Sequence, residues 1–193
     1  EDAEKNGEYV LLTDGGNIFQ GTPLGTRDGG ATIIRWMNWM EYDAMAPGVK
    51  DFDQGKENIA RLAGQAEFPF LSANLKGVDG PLPYIIKEYE GISIGIIGLM
   101  TPELPEGTLP ENIEGVQVTP PLETLNAIIP EVREKGADLI FVLAHMGLPY
   151  DREDEYALMM EEVQAGNPIQ INTALELAHF TEGVDVIIAL DTS

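Results

Sequence analysis

Cysteine is missing altogether. That removes disulfides, zinc–thiolate centres, iron–sulfur clusters and thiol nucleophiles together. Basic residues are scarce: 11 Lys and Arg stand against 33 Asp and Glu, a formal net charge of −22. Nucleic acid and anionic membranes repel a chain of that sign, so neither is expected as a partner. No apolar run approaches the ~20 residues of a membrane span; the longest, 139–144, has the length of a buried strand. The glycine-rich stretches lack their usual companions. Asp14-Gly15-Gly16-Asn17 has no Lys-Ser/Thr for a nucleotide P-loop, and Gly95 to Gly98 lacks the spacing of a dinucleotide turn. No G-x-S-x-G elbow supports an acyl-transfer triad.

What is present suits one ordinary domain with a real core, or two very small ones. The chain has 193 residues, 44% of them hydrophobic and 23% charged. The acids are interspersed with apolar residues, which describes a charged surface and not an acidic tail. It opens at Glu1 without Met or an apolar leader, as a processed or partial polypeptide would.

Short apolar runs alternate with amphipathic stretches. Strands are expected at 9–12, 42–46, 70–73, 84–89, 92–99, 139–144 and 184–190, with Glu90-Gly91 as a hairpin turn. Helices are expected at 31–40, 56–66, 120–135, 153–164 and 173–180, the third stopped by Gly136. Segments 100–119 and 164–172 read as loops. Trp36, Met37, Trp39 and Met40 read as a core-facing helix side. The alternation predicts an α/β domain with strands buried on both faces, without internal repeat or domain boundary.

In such domains, polar residues just past strand C-termini form the site. Four places qualify: 14–17, 49–53, His145, and 191–193. His145 taken alone reads as a hydrogen-bonded structural residue, and His179 as a surface or packing residue.

These blocks resemble, in order, those of the bacterial 5'-nucleotidases, members of the calcineurin-like metallophosphoesterases. Residues 11–23, with Asp14, Asn17, Gln20, Gly21, Thr22 and Pro23, resemble D-A-G-D-x-x-Q-G-T-P. Residues 42–55, with Tyr42, Asp43, Met45, Gly48, Phe52, Asp53 and Gly55, resemble Y-D-A-M-x-x-G-N-H-E-F-D-x-G. Residues 68–74 resemble F-P-x-L-S-A-N, and the strand of 91–103 the one that follows it. Residues 137–147 resemble G-A-D-x-I-I-x-L-S-H-x-G, and 184–193 G-x-D-V-I-I-G-G-H-T-H.

The resemblance implies a two-sheet α/β/β/α sandwich, here incomplete at both ends. Residues 1–193 would be the central part of one metallophosphoesterase-like domain. The strand carrying the first metal motif, D-x-H, and the C-terminal nucleotide-binding domain would be absent. It also implies phosphate monoester hydrolysis at two divalent metals, such as Mn, Zn or Co, on a nucleotide or other phosphate substrate. The implied compartment is periplasmic or extracellular.

Position by position, the implied site is depleted. The bridging Asp corresponds to Asn17, the ligand Asn to Val49, the catalytic His to Lys50 and its supporting Glu to Asp51. The two His of G-H-T-H correspond to Asp191 and Ser193; only His145 stands unchanged. An amide cannot offset the repulsion of two dications, valine has no donor atom, and an ammonium adds to the repulsion. A two-metal centre is therefore not expected. Asn17, His145 and Asp191 could hold a single ion weakly, or merely hydrogen-bond one another. Lys50 could bind phosphate as a point charge. The surplus of acid instead favours a salt pair with Asp14, Asp51 or Asp191. The expectation is a weakly active or inactive phosphoesterase domain. The alternative is a non-catalytic structural or interaction module that keeps the fold. In either case another chain or segment would complete the sheet.

Overall fold

The computed structural model describes residues 9–21 and 23–190. Among them the elements run β1 (Thr13–Asp14), α1 (Pro23–Thr26), α2 (Ala31–Trp39), β2 (Ala44–Met45), a 3₁₀ helix (Val49–Gln54), α3 (Lys56–Ala63) and β3 (Leu75–Lys76). Then come β4 (Tyr84–Tyr89), β5 (Ile92–Met100), α4 (Leu104–Gly107), a second 3₁₀ turn (Pro110–Ile113) and β6 (Gln117–Val118). The chain continues through α5 (Pro121–Glu134), β7 (Leu139–His145), α6 (Arg152–Ala165), α7 (Ala174–Phe180) and β8 (Val186–Ala189).

The main sheet has four strands in the order β4-β5-β7-β8. The β4–β5 pair is antiparallel; β7 and β8 join in parallel. Glu90 and Gly91, with φ of 45° and 87°, make the tight turn between β4 and β5. Two consecutive positive φ values match the twist of a hairpin, and glycine takes one at little cost. A second, parallel pair joins β1 to β2, and Phe70 extends it through a bridge to Met45. β3 and β6 form a small separate antiparallel pair.

Alternation along the strands sorts the core into layers, because successive side chains of a strand face opposite ways. Met45 packs under α2 and α3 with Ile34, Met37, Ile59 and Leu62. Its neighbour Ala44 faces the other way and meets Leu71 and Ile96 between the two sheets. Ile97, next to Ile96, joins Val142, Leu125 and Leu177 beneath α5 and α7. The order is helices, small sheet, large sheet, helices, as expected for an α/β/β/α sandwich. The middle layer is thin partly because Gly98 lies against the backbone of Leu71, and Ala73 N–H donates to Gly98 O at 2.8 Å. A Cβ at Gly98 would occupy the space of the Leu71 backbone.

Local chemistry accounts for the helices. Asp28 accepts the Thr32 N–H and hydroxyl, at 3.1 and 2.7 Å, at the start of α2. Pro121 opens α5, where its missing N–H costs nothing. Pro130 stands on the exposed side of α5, and Leu125, Ile129 and Val132 are buried on the other. In α7, Thr173 and Glu176 form a capping box: Leu175 N–H donates to Thr173 Oγ1 at 3.2 Å and Thr173 N–H to Glu176 Oε2 at 2.6 Å.

Several sequence expectations need correction. Residues 9–12 are not a buried strand: Tyr9 and Val10 are exposed, and pairing begins only at Thr13. Residues 70–73 make two isolated bridges because Phe70 pairs with Met45 of β2 and Leu71 with Leu82, without a continuous ladder. Segment 100–119 is not one loop but holds α4, a 3₁₀ turn and β6. Of the four side chains at 36–40 assigned to the core, only Met37 is buried. Trp39 is 77% exposed, and Trp36 and Met40 are also open. The inward stripe is Ala31, Ile34 and Met37, a strict three-residue spacing that leaves the indoles outside.

Candidate active site

Three of the four strand exits meet at one point. β1 ends in a tight turn with Gly16 at φ 90° and Asn17 at φ 61°. A Cβ on Gly16 would run into the backbone of Gly48 and Ala46, so this close approach requires glycine. β2 ends in the loop 46–48, which leads into the 3₁₀ helix Val49–Gln54. β7 ends at His145, paired in register with Met100 of β5. A Cβ on Gly48 would stand 2.5 Å from both Asn17 Oδ1 and His145 Cε1, so these two side chains converge over that glycine. Leu190, after β8, lies against Gly15. Asp191 and Ser193, the fourth exit, lie outside the described residues, as does Thr22.

Asp51 holds the site together. It is buried and accepts four backbone N–H groups: Asn17 at 2.8 Å, Ile18 at 2.9 Å, Phe19 at 3.2 Å and Gly48 at 2.8 Å. Burial pushes its carboxyl above the ordinary aspartate range, and the four donors pull it back. The side chain thus ties the turn after β1 to the loop after β2. Asn17 adds a second tie, since its Oδ1 accepts the Lys50 backbone N–H at 2.8 Å.

His145 is buried, and its Nδ1 lies 2.5 Å from Gly15 O. A carbonyl can only accept, so Nδ1 carries the proton and any lone pair of the neutral ring sits on Nε2. Asp14 lies close by, its Oδ1 accepting Gly16 N–H at 2.7 Å. Burial raises the Asp14 carboxyl above the ordinary range, against the pull of that N–H and of His145.

Val49 is buried, and its carbonyl accepts the Thr108 hydroxyl at 3.2 Å. Lys50 reaches across to α4, where its Nζ donates to Gly107 O at 2.8 Å. Of the three acids expected to pair with Lys50, Asp14 and Asp51 do not, and Asp191 lies outside the described residues. Asp51 is already saturated by backbone donors, which leaves it no reason to turn toward the ammonium.

Above these residues opens a cleft of 630 Å³. Asn17, Val49 and Lys50 line it together with Thr101, Glu103, Glu106 and Asn172. The last four were not singled out from sequence. Thr101 and Glu103 follow the end of β5, a strand exit that the same rule would have marked. Asn172 comes from the loop before α7 and carries no signal in sequence. Among the described residues, no group of three or more His, Asp or Glu is placed to hold a metal ion.

No family model matches the sequence. The chain is 32% identical over 205 residues to the trifunctional nucleotide phosphoesterase protein YfkN of Bacillus subtilis, which covers 93% of this chain and 13% of that protein. It is 36% identical over 151 residues to the 5'-nucleotidase of Vibrio cholerae, covering 76% of this chain and 27% of the relative. The crystal structure of the calcineurin-like phosphoesterase YfkN superposes with a TM-score of 0.76 at 30% identity, over 97% of this chain and 59% of that one. The chain belongs to the bacterial 5'-nucleotidase family. It is built on the calcineurin-like metallophosphoesterase fold of that family, and it spans under a third of the length of these curated relatives.

Proposed function

We propose that this chain is a nucleotide-phosphoesterase domain whose metal centre has been dismantled, so that it hydrolyses phosphate monoesters weakly or not at all. Residues 1–193 form one such domain, the central part of the family's catalytic unit. The observation that carries this reading is the use made of the loop at 48–51. Val49 offers no donor atom and is buried. Asn17 is uncharged, and its carbonyl oxygen already accepts the Lys50 N–H. Asp51 spends both oxygens on backbone donors. The ammonium of Lys50 stands in the same cleft. This donor set does not fit a pair of divalent cations, which need anionic ligands between and around them. Asn17 and His145, with Asp191, are left to hold one ion weakly at most, and Lys50 and Asp51 do not act as the family's His and Glu.

The substrate class is a nucleotide by kinship with the nucleotidases, and the compartment is periplasmic or extracellular on the same ground. No described helix is long and apolar enough to cross a membrane. The test is elemental analysis of the purified protein together with hydrolysis of AMP in manganese, cobalt or zinc. Substoichiometric metal and turnover indistinguishable from buffer are expected. Two equivalents of metal with saturable phosphate release would overturn the reading.

A further inference from the structure

The geometry points to Lys50 as the centre of a metal-free receptor for a small phosphate-bearing anion. This rests on the reading above that paired cations are not held here. The floor and the rim of the cleft differ in sign. Lys50 is half-buried on the floor beside buried Val49 and Thr101, whereas Glu103 and Glu106 are exposed at the rim. The Lys50 ammonium has three donors, and the described structure commits one of them to the neutral Gly107 carbonyl at 2.8 Å. No described carboxylate forms an ion pair with it, in a chain with 33 acids. A half-buried cation facing a neutral acceptor retains most of its attraction for an anion, and the lowered dielectric strengthens it.

Asn17 reinforces the site. Its Oδ1 accepts the Lys50 N–H on one of its two lone pairs, and its amide also carries two N–H donors. A tetrahedral phosphate, rich in acceptors, suits a floor of ammonium and amide donors. The cleft of 630 Å³ exceeds a bare phosphate and has the size of a small-molecule site, leaving room for an organic group on a monoester. The rim carboxylates oppose entry, which keeps binding weak and disfavours polyanions.

The experiment is calorimetric titration of inorganic phosphate into the full chain in EDTA. Wild type and K50R should give saturable heat. K50M should weaken binding at least tenfold with unchanged circular dichroism, and E106Q should tighten it severalfold. Equal binding by wild type and K50M, or no saturable heat in wild type, overturns the proposal. So does heat that appears only when manganese replaces EDTA, because the metal would then be the receptor. The K50R and E106Q arms decide the matter even if K50M fails to fold. Absent turnover with no phosphate binding removes this inference alone. Metal-dependent turnover by a protein that still binds phosphate in EDTA removes only the functional reading above.

Discussion

Asp51 shows how much local structure a single buried carboxylate can tie together. The resemblance set it at a supporting carboxylate, and its side chain accepts four backbone N–H groups from two loops. Removing it leaves those donors without their acceptor inside the protein, and an unpaired buried polar group costs far more than a hydrogen bond gains. D51A is expected to lose about 3 kcal/mol or more of unfolding free energy in urea titration. D51N, which keeps one acceptor oxygen, should lose less. Lys50 is the converse case. Charge counting favoured an acid as its partner, yet the neighbouring acid is saturated and the ammonium bonds a carbonyl of α4. Composition constrains how many charges must be paired somewhere; it does not say which donors reach a given carboxylate first.

Elements were legible where their pattern was long and local. The β4–β5 hairpin, α5 with its Gly136 stop, α7 with its capping box and the apolar run of β7 all stand close to where periodicity and turn residues placed them. Two-residue strands such as β1, β2, β3 and β6 have no periodicity to read, and they exist only because a partner strand lies alongside. In α2, the indoles and methionines suggested a core face, but the side that meets β2 is set by Ala31, Ile34 and Met37. Asp185 illustrates what holds elements to each other. Its Oδ2 accepts the Ile140 N–H of β7 at 2.7 Å and pairs with Arg133 of α5 at 2.8 Å. The Ile140 N–H, and then Arg133, hold its carboxyl below the usual aspartate range. Because the folded value is depressed, this stabilisation is complete above the unfolded aspartate's pKa and is lost as pH falls through the lowered folded value. The urea midpoint of wild type should exceed that of D185N at neutral pH. The two should converge as pH drops below the ordinary aspartate range, and a constant gap would refute the link.

At the scale of the whole molecule, a net charge of −22 must be carried by a layered fold whose two sheets touch through a thin central contact. Few ion pairs among the described residues offset it, and those on the surface, such as Arg35–Asp28 and Lys135–Glu131, are worth little individually. Self-repulsion is then a general destabilising term that salt screens. The thermal midpoint is expected to rise as sodium chloride goes from low to physiological strength, and a midpoint that falls would show that local pairs outweigh the global field. The sequence by itself determined the α/β class, the order of the long elements, the family, and the list of residues at strand exits, because each of these is written in local pattern or in motif order. Only the tertiary structure decided that Asn17, Gly48 and His145 converge, that Asp51 serves the backbone, and that Lys50 spans the cleft to Gly107. Those outcomes depend on which groups distant in the chain come within hydrogen-bond reach, and on which donors have already been used, neither of which any local pattern encodes.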